Sequence, residues 1–174
     1  MLLIISDASV LIDIEYGQLT NAMFSLSYQF AVPDILFVEE LEEKHGHLLK
    51  LGLLSKTMNG DLVSEAYKLR QQYAKTSMND LLALTLAKHE NCQLLTGDKA
   101  LREVATKLNV EIHGTLWLVN QMIQQKKITI EVARASFQYM RNSGSRLPWN
   151  KVEEMLEERE SKIKKTNKLC NIFG

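Results

Sequence analysis

The chain has 174 residues, of which 45% are hydrophobic and 24% are charged, as in an ordinary globular domain. Its 21 basic and 21 acidic residues cancel. A net charge of zero excludes a protein that coats nucleic acid by means of an overall positive charge. No apolar run approaches the roughly 18 residues that a membrane-spanning helix needs, which excludes membrane insertion and predicts a cytoplasmic protein.

Short apolar runs alternate with helical patterns along the first two thirds of the chain. The apolar runs predict strands at 2–6, 30–32, 92–96 and 110–114. Apolar residues at helical spacing predict helices over 19–26, 34–45, 61–74, 79–90 and 98–109. Residues 48–57 are ambiguous and fit a turn of helix followed by a strand. This alternation is typical of an α/β domain with a mainly parallel sheet flanked by helices.

The last third of the chain has a different pattern. Three further helices are predicted over 115–125, 129–142 and 148–165, and the last residues through Gly174 are expected to form a frayed tail. We find no internal repeat and no long linker that would separate these helices from the α/β part.

Acidic residues follow several of the predicted strands. Asp7 comes directly after the first strand, and Asp98 follows a later strand through one glycine. Asp80 begins a helix, and Glu40 lies four residues beyond Leu36 on the helix after the second strand. Because ligands of parallel α/β sheets bind beyond the carboxyl ends of the strands, these carboxylates are expected to converge there. Each one alone also fits a helix cap or a solvated charge.

The charge of such a cluster predicts its chemistry. Two like charges 4 Å apart repel by about 4 kcal/mol at an effective dielectric constant near 20, so four carboxylates need protons or cations. Hard divalent ions such as Mg²⁺ or Mn²⁺ prefer oxygen ligands. A pair of such ions can assist the hydrolysis of a phosphodiester.

At these residues the sequence resembles the PIN-domain nucleases. The resemblance rests on four motifs in order, which are IISDASVLIDI, VPDILFVEEL, SMNDLLALTLA and LLTGDKALREVA. The most similar type is the small prokaryotic VapC-like toxin with extra C-terminal helices. The resemblance implies a PIN-like three-layer sandwich, with a nuclease domain over 1–125 and a helical extension over 126–174 packed on it.

The resemblance also implies roles for single residues. Asp7, Glu40, Asp80 and Asp98 match the acidic positions that hold the metal and catalyse hydrolysis, with Glu39 as the competing choice for Glu40. Ser9 and Thr96 match hydroxyl positions that orient the site or a bound phosphate. Separately, the spacing of Lys99 and Arg102 puts them on one helix face near the site, where they can contact RNA phosphates or form a solvated face.

The function that follows is a Mg²⁺- or Mn²⁺-dependent endoribonuclease, the toxin of a toxin–antitoxin pair. An antitoxin protein and a homodimer are the expected partners, again by resemblance. The alternative is an inactive PIN-like module that binds a protein. The presence of all four carboxylates favours the enzyme over the inactive module, because clustered negative charges that serve no function would only destabilise the fold.

Overall fold

The computed structural model describes residues 2–170, with side chains described up to residue 162, and it centres on a five-stranded parallel sheet. The strands are β1 (Leu2–Ser6), β2 (Tyr28–Pro33), β3 (Leu54–Lys56), β4 (Gln93–Leu95) and β5 (Ile112–His113). Their order across the sheet is β3-β2-β1-β4-β5, and every neighbouring pair is parallel. The predicted α/β fold with a mainly parallel sheet is confirmed.

The central strands are buried because helices cover the sheet. Ile4 and Ile5 of β1, Ala31 and Val32 of β2 and Leu94 of β4 are fully enclosed. Strands that are buried on both faces are continuously apolar, which is why the short runs in the sequence identify them. Strand β2 begins two residues earlier than expected, and β3 fills the ambiguous segment after a helical turn.

The helices alternate with the strands. They are α1 (Ala8–Tyr16), α2 (Thr20–Phe24), α3 (Asp34–Leu36), α4 (Glu42–His45), α5 (Leu48–Leu51), α6 (Gly60–Gln72), α7 (Met78–His89), α8 (Lys99–Lys107), α9 (Thr115–Gln124), α10 (Ile130–Asn142) and α11 (Trp149–Cys170). A π-helical turn over Phe37–Leu41 joins α3 to α4. The helix predicted over 34–45 therefore forms, but the hydrogen bonds in its middle span five residues in place of four. Such turns often accompany functional sites.

The C-terminal helices pack on the α/β part. Met140 of α10 is fully buried, and a Cβ added at Gly17, just after α1, would collide with its terminal methyl group. Phe137 and Leu156 are also buried in the common core. The division of the chain at residue 125 stays a prediction, and the predicted frayed tail lies partly outside the described residues.

Shortening Met140 to alanine is expected to lower the free energy of unfolding by about 2–5 kcal/mol, because it leaves a cavity between α10 and α1. Urea denaturation measures this change. The matched control is Val132→Ala on the exposed side of α10, which is expected to change stability little. An unchanged midpoint for Met140→Ala would contradict a core shared by the two parts.

In the part of the chain that the structure describes, no helix combines the length and the apolar character needed to cross a membrane.

Candidate active site

The site lies where the order of the strands changes direction. The chain builds β1, β2 and β3 outward on one side, and β4 and β5 are then added on the other side of β1. The crevice beyond the carboxyl ends of β1 and β4 is therefore the topological switch point, where parallel α/β sheets bind ligands. Asp7 follows β1, and its backbone N–H donates to the carbonyl of Leu95 on β4 at 2.9 Å.

Asp7 is the most deeply buried acidic group of the site, with 2% of its surface exposed. It caps the N-terminus of α1, where its Oδ1 accepts hydrogen bonds from Val10 N at 3.0 Å and from the Ser9 hydroxyl at 2.9 Å. Burial raises the pKa of Asp7 to about 6. Hydrogen bonds from Thr96, Val10 and Ser9 oppose that rise, and the negative charge of Asp80 adds to it.

Asp98 is held in a similar way at the end of β4. Its Oδ1 accepts from Leu101 N at 2.7 Å and so caps α8. The backbone N–H of Asp98 donates to the Thr96 hydroxyl at 3.0 Å, and Thr96 also hydrogen-bonds to Asp7. Thr96 is completely buried, so one fixed hydroxyl connects the two aspartates.

Asp80 lies in the first turn of α7, where the N-terminal end of the helix dipole favours negative charge. Its carboxylate accepts a hydrogen bond from the Ser77 hydroxyl at 2.6 Å, and Ser77 caps the helix by accepting from Asp80 N. Burial raises the pKa of Asp80; the Ser77 hydrogen bond lowers it, and the negative charge of Asp98 raises it further. Asp7, Asp80 and Asp98 are thus close enough to influence one another electrostatically.

Glu39 and Glu40 lie on the π-helical turn and are exposed. The side-chain amide of Asn79 donates to Glu40 at 2.7 Å and to Glu39 at 3.0 Å. Asn79 precedes Asp80, so this contact ties the turn to the start of α7. Electrostatic interactions connect Asp80 with Asp7 and with Asp98, and Asn79 connects both Glu39 and Glu40 to the start of α7. The site of four carboxylates and the choice of Glu40 over Glu39 stay predictions.

The donor set suits a divalent cation. Within residues 2–162, no three His, Cys, Asp or Glu side chains stand close enough to hold a metal ion as they are placed. The aspartates nevertheless offer hard oxygen donors, which Mg²⁺ and Mn²⁺ prefer. The caps use only Oδ1 of Asp7 and of Asp98, so the second oxygen of each carboxylate is not required by the cap.

A family model described as a PIN domain matches residues 3–161 of this sequence. The chain belongs to the PIN-domain family. PIN domains are generally nucleases, so the chain has a nuclease-type fold. The predicted resemblance and the predicted PIN-like sandwich with C-terminal helices are both confirmed.

Comparison with solved structures gives a similar chain from an archaeon, a PilT N-terminus domain protein of Sulfolobus solfataricus P2. The two chains are 16% identical, with a TM-score of 0.47, and the match covers 71% of this PIN-domain chain and 94% of the archaeal one. No curated protein sequence matches the chain.

The two basic residues suggested as RNA contacts differ in their surroundings. Lys99 is exposed on the first turn of α8. Arg102 is half-buried, and its guanidinium donates to the backbone carbonyls of Thr96 at 2.9 Å and His113 at 3.4 Å. Arg102 therefore also braces the ends of β4 and β5.

Asn79 was not predicted as part of the site of this PIN domain. Its amide side chain carries no charge, and its partners lie about 40 residues away in sequence. The only sequence signal is its place next to Asp80, between two residues of a Ser77–Asp80 capping pattern.

For the predicted metal-dependent ribonuclease, Glu40→Gln is expected to lower RNA cleavage by about 10–100-fold, the usual cost of losing a supporting group at a metal site. Glu39→Gln is the matched control and is expected to have a smaller effect. Glutamine keeps an oxygen for Asn79 in both variants and removes only the charge. Rates measured with Mn²⁺ under the same conditions decide between the two glutamates; a larger loss for Glu39→Gln would reverse the assignment.

Proposed function

We propose that this PIN domain is a Mg²⁺- or Mn²⁺-dependent endoribonuclease that hydrolyses RNA phosphodiester bonds. The observation that supports the proposal is that Asp7 and Asp98 follow neighbouring strands at the switch point of the sheet, with Asp80 near enough that its charge raises the pKa of Asp7 and the charge of Asp98 raises the pKa of Asp80. Carboxylates whose ionisation is opposed by burial and by neighbouring negative charge are expected to bind cations.

Asp7, Asp80 and Asp98 would hold the cation, with Glu40 as the fourth acidic group. A bound divalent ion supplies an activated water and stabilises the leaving oxygen of the phosphodiester. The protein fixes the carboxylates in advance: Val10 N and Leu101 N orient Asp7 and Asp98 through the helix caps. Ser77 holds Asp80.

Ser9 and Thr96 support the aspartates through their hydroxyl groups. Ser9 is exposed and donates to Asp7, so it can also meet a phosphate oxygen of the substrate. Thr96 is buried and spans Asp7 and Asp98, which fits a positioning residue. Loss of the Thr96 hydroxyl would leave both aspartates without a shared contact.

The biological role comes from the resemblance to VapC-like proteins. By that resemblance, the ribonuclease is the toxin of a toxin–antitoxin pair, with an antitoxin as partner and a homodimer as its assembly. Both partners stay predictions, which copurification with the neighbouring gene product and light scattering of the purified chain would test.

The test compares RNA cleavage by the wild-type protein, Asp98→Asn and Asp61→Asn, with Mn²⁺ and with EDTA. Asparagine is a good helix cap, so Asp98→Asn removes charge while it keeps the start of α8. Asp61 is an exposed aspartate in the first turn of α6 and is the matched control.

We expect cleavage by the wild type and Asp61→Asn in Mn²⁺ only, and a loss of about 100-fold or more for Asp98→Asn. Equal cleavage by all three proteins would point to a contaminating nuclease. Absence of cleavage by all three would favour the inactive protein-binding module.

A further inference from the structure

A cavity of about 350 Å³ adjoins the segment that leads into Asp98. It is lined by Thr96 and Gly97, the two residues that connect β4 to Asp98. The rest of its wall comes from the end of β5, the start of α9 and the segment that leads into α11. The C-terminal helices therefore build part of a surface that adjoins the proposed reaction centre.

The charge of the cavity is positive. Arg102, Arg146 and Lys151 line it, and its wall contains no acidic residue. The nearest carboxylate on the aromatic side is that of Glu111, which lies 3.0 Å from the imidazole of His113. Arg146 and Lys151 are exposed, and neither forms an ion pair with any side chain that the structure describes. Arginine and lysine that lack carboxylate partners beside an acidic centre are suited to hold the phosphates of a substrate.

One side of the cavity is aromatic. The indole of Trp117 stacks on the imidazole of His113, with ring centroids 3.9 Å apart and planes 9° from parallel. The ring of Tyr28 also packs against this indole, with centroids 5.8 Å apart. Both rings line the cavity and are only half-buried. Aromatic rings beside a cationic groove are the usual means of binding single-stranded nucleic acid, because every base can stack on them.

The wall is held in place by buried contacts. The Thr115 hydroxyl, which is buried, donates to Asp13 of α1 at 3.0 Å, and this bond fixes the start of α9. On the opposite side, Arg102 binds the carbonyl of Thr96 at 2.9 Å. The cavity is thus formed before any ligand arrives, which reduces the entropic cost of binding.

We propose that this cavity binds the nucleotide next to the cleaved bond of single-stranded RNA. Its phosphate would lie against Arg146 and Lys151, and its base against the stacked pair of His113 and Trp117. The volume lies at the lower end of the range for ligand pockets, so it accommodates one nucleotide and not a duplex. This inference rests on the proposed ribonuclease, and it gives the C-terminal extension a part in substrate binding.

The experiment measures binding and cleavage separately. Binding of a fluorescent single-stranded RNA is followed by anisotropy in EDTA at several salt concentrations, and cleavage of the same RNA is followed in Mn²⁺. The test variant is the double substitution Arg146→Ala and Lys151→Ala. The matched control is Lys50→Ala with Lys68→Ala, two exposed lysines on α5 and α6. A charge-preserving variant, Arg146→Lys with Lys151→Arg, is the rescue.

We expect the test variant to bind RNA on the order of tenfold more weakly. Its binding should depend less on salt, with the slope of log K against log salt smaller by about 0.7, which corresponds to one phosphate on a single strand. Its loss of cleavage should fall more on KM than on kcat. The control pair is expected to match the wild type, and the charge-preserving variant to keep most of the affinity.

The outcomes separate this inference from the proposed function. Wild-type cleavage combined with an unchanged KM and salt slope in the test variant would show that the cavity does not bind RNA. The proposed ribonuclease activity would remain supported. RNA binding that depends on Arg146 and Lys151, without any cleavage, would support the cavity as an RNA-binding site and contradict the proposed ribonuclease activity. Failure of the wild type to bind the RNA would contradict the proposal that the cavity binds a nucleotide.

The base contact has its own readout in the fluorescence of Trp117. In a Trp149→Phe background Trp117 is the sole tryptophan, since the sequence has two. Saturating RNA is expected to change its emission in EDTA, because a base that contacts the stacked pair of His113 and Trp117 alters the surroundings of the indole. Emission that does not change while the anisotropy shows saturation would overturn the placement of the base.

Discussion

Asp7→Asn is expected to make the metal-free protein more stable at pH 7 while it abolishes RNA cleavage. Burial raises the pKa of Asp7 to about 6 in the folded protein, from 3.8 for the free side chain. A difference of this size corresponds to at most about 3 kcal/mol of cost for the ionised group at neutral pH. Asparagine cannot ionise, and it can still accept the capping bond from Val10.

The pH dependence has a definite sign. Between pH 3.8 and about 6 the folded state holds the Asp7 proton more tightly than the unfolded state does. The stability that Asp7 contributes is therefore greatest below this window and is lost as the pH rises through about 6. In EDTA, the wild-type melting temperature should fall relative to that of Asp7→Asn as the pH is raised from 4.5 to 7.

Melting temperatures of both proteins across this range, beside the Asp61→Asn control, measure the effect. We expect a gain of about 1–3 kcal/mol for Asp7→Asn at pH 7, because the weaker hydrogen bonds of the amide offset part of the benefit. A variant that is less stable than the wild type at every pH would show that the Asp7 carboxylate is a structural cap and not a strained functional group.

Mn²⁺ is expected to raise the melting temperature of the wild type and to have much less effect on Asp80→Asn. Cation at about 100 times its Kd stabilises a folded protein by about 2.7 kcal/mol. For a chain of this size that corresponds to a rise of about 5–10 °C. Asp80→Asn removes one of the three mutually repelling charges and keeps the contact with Ser77.

Thermal unfolding with Mn²⁺, with Mg²⁺ and after addition of EDTA tests this prediction. Asp61→Asn should respond as the wild type does, because its carboxylate is exposed and lies outside the cluster. An equal rise for Asp80→Asn would place the cation elsewhere, and no rise for the wild type would favour the protein-binding module.

The sheet and the positions of two aspartates could be predicted because they depend on local patterns. Buried parallel strands are apolar throughout, so Leu2–Ser6 and Gln93–Leu95 stand out in the sequence. Parallel strands end at the same edge of a sheet, which brings Asp7 and Asp98 together without knowledge of the loops. Asp80 could be predicted as a candidate site residue because it lies at the start of an apolar helix.

Other features depend on contacts between distant parts of the chain. The π-helical turn at Phe37–Leu41 and its bond to Asn79 have no periodic signal, so the sequence leaves Glu39 and Glu40 equivalent. Arg146 and Lys151 line the cavity only because α10 packs on α1 and α9, and α11 packs on α10. Charged residues in a C-terminal segment are usually solvated, and nothing local distinguishes this pair.

Calorimetric titration with Mn²⁺ shows whether Asp7, Asp80 and Asp98 together hold divalent cations, as we propose. The wild-type protein is titrated beside a variant in which all three aspartates are changed to asparagine, so that the helix caps remain while the charges are removed. We predict saturable binding of one or two ions by the wild type and none by the triple variant. The same binding curve for both proteins would contradict the claim.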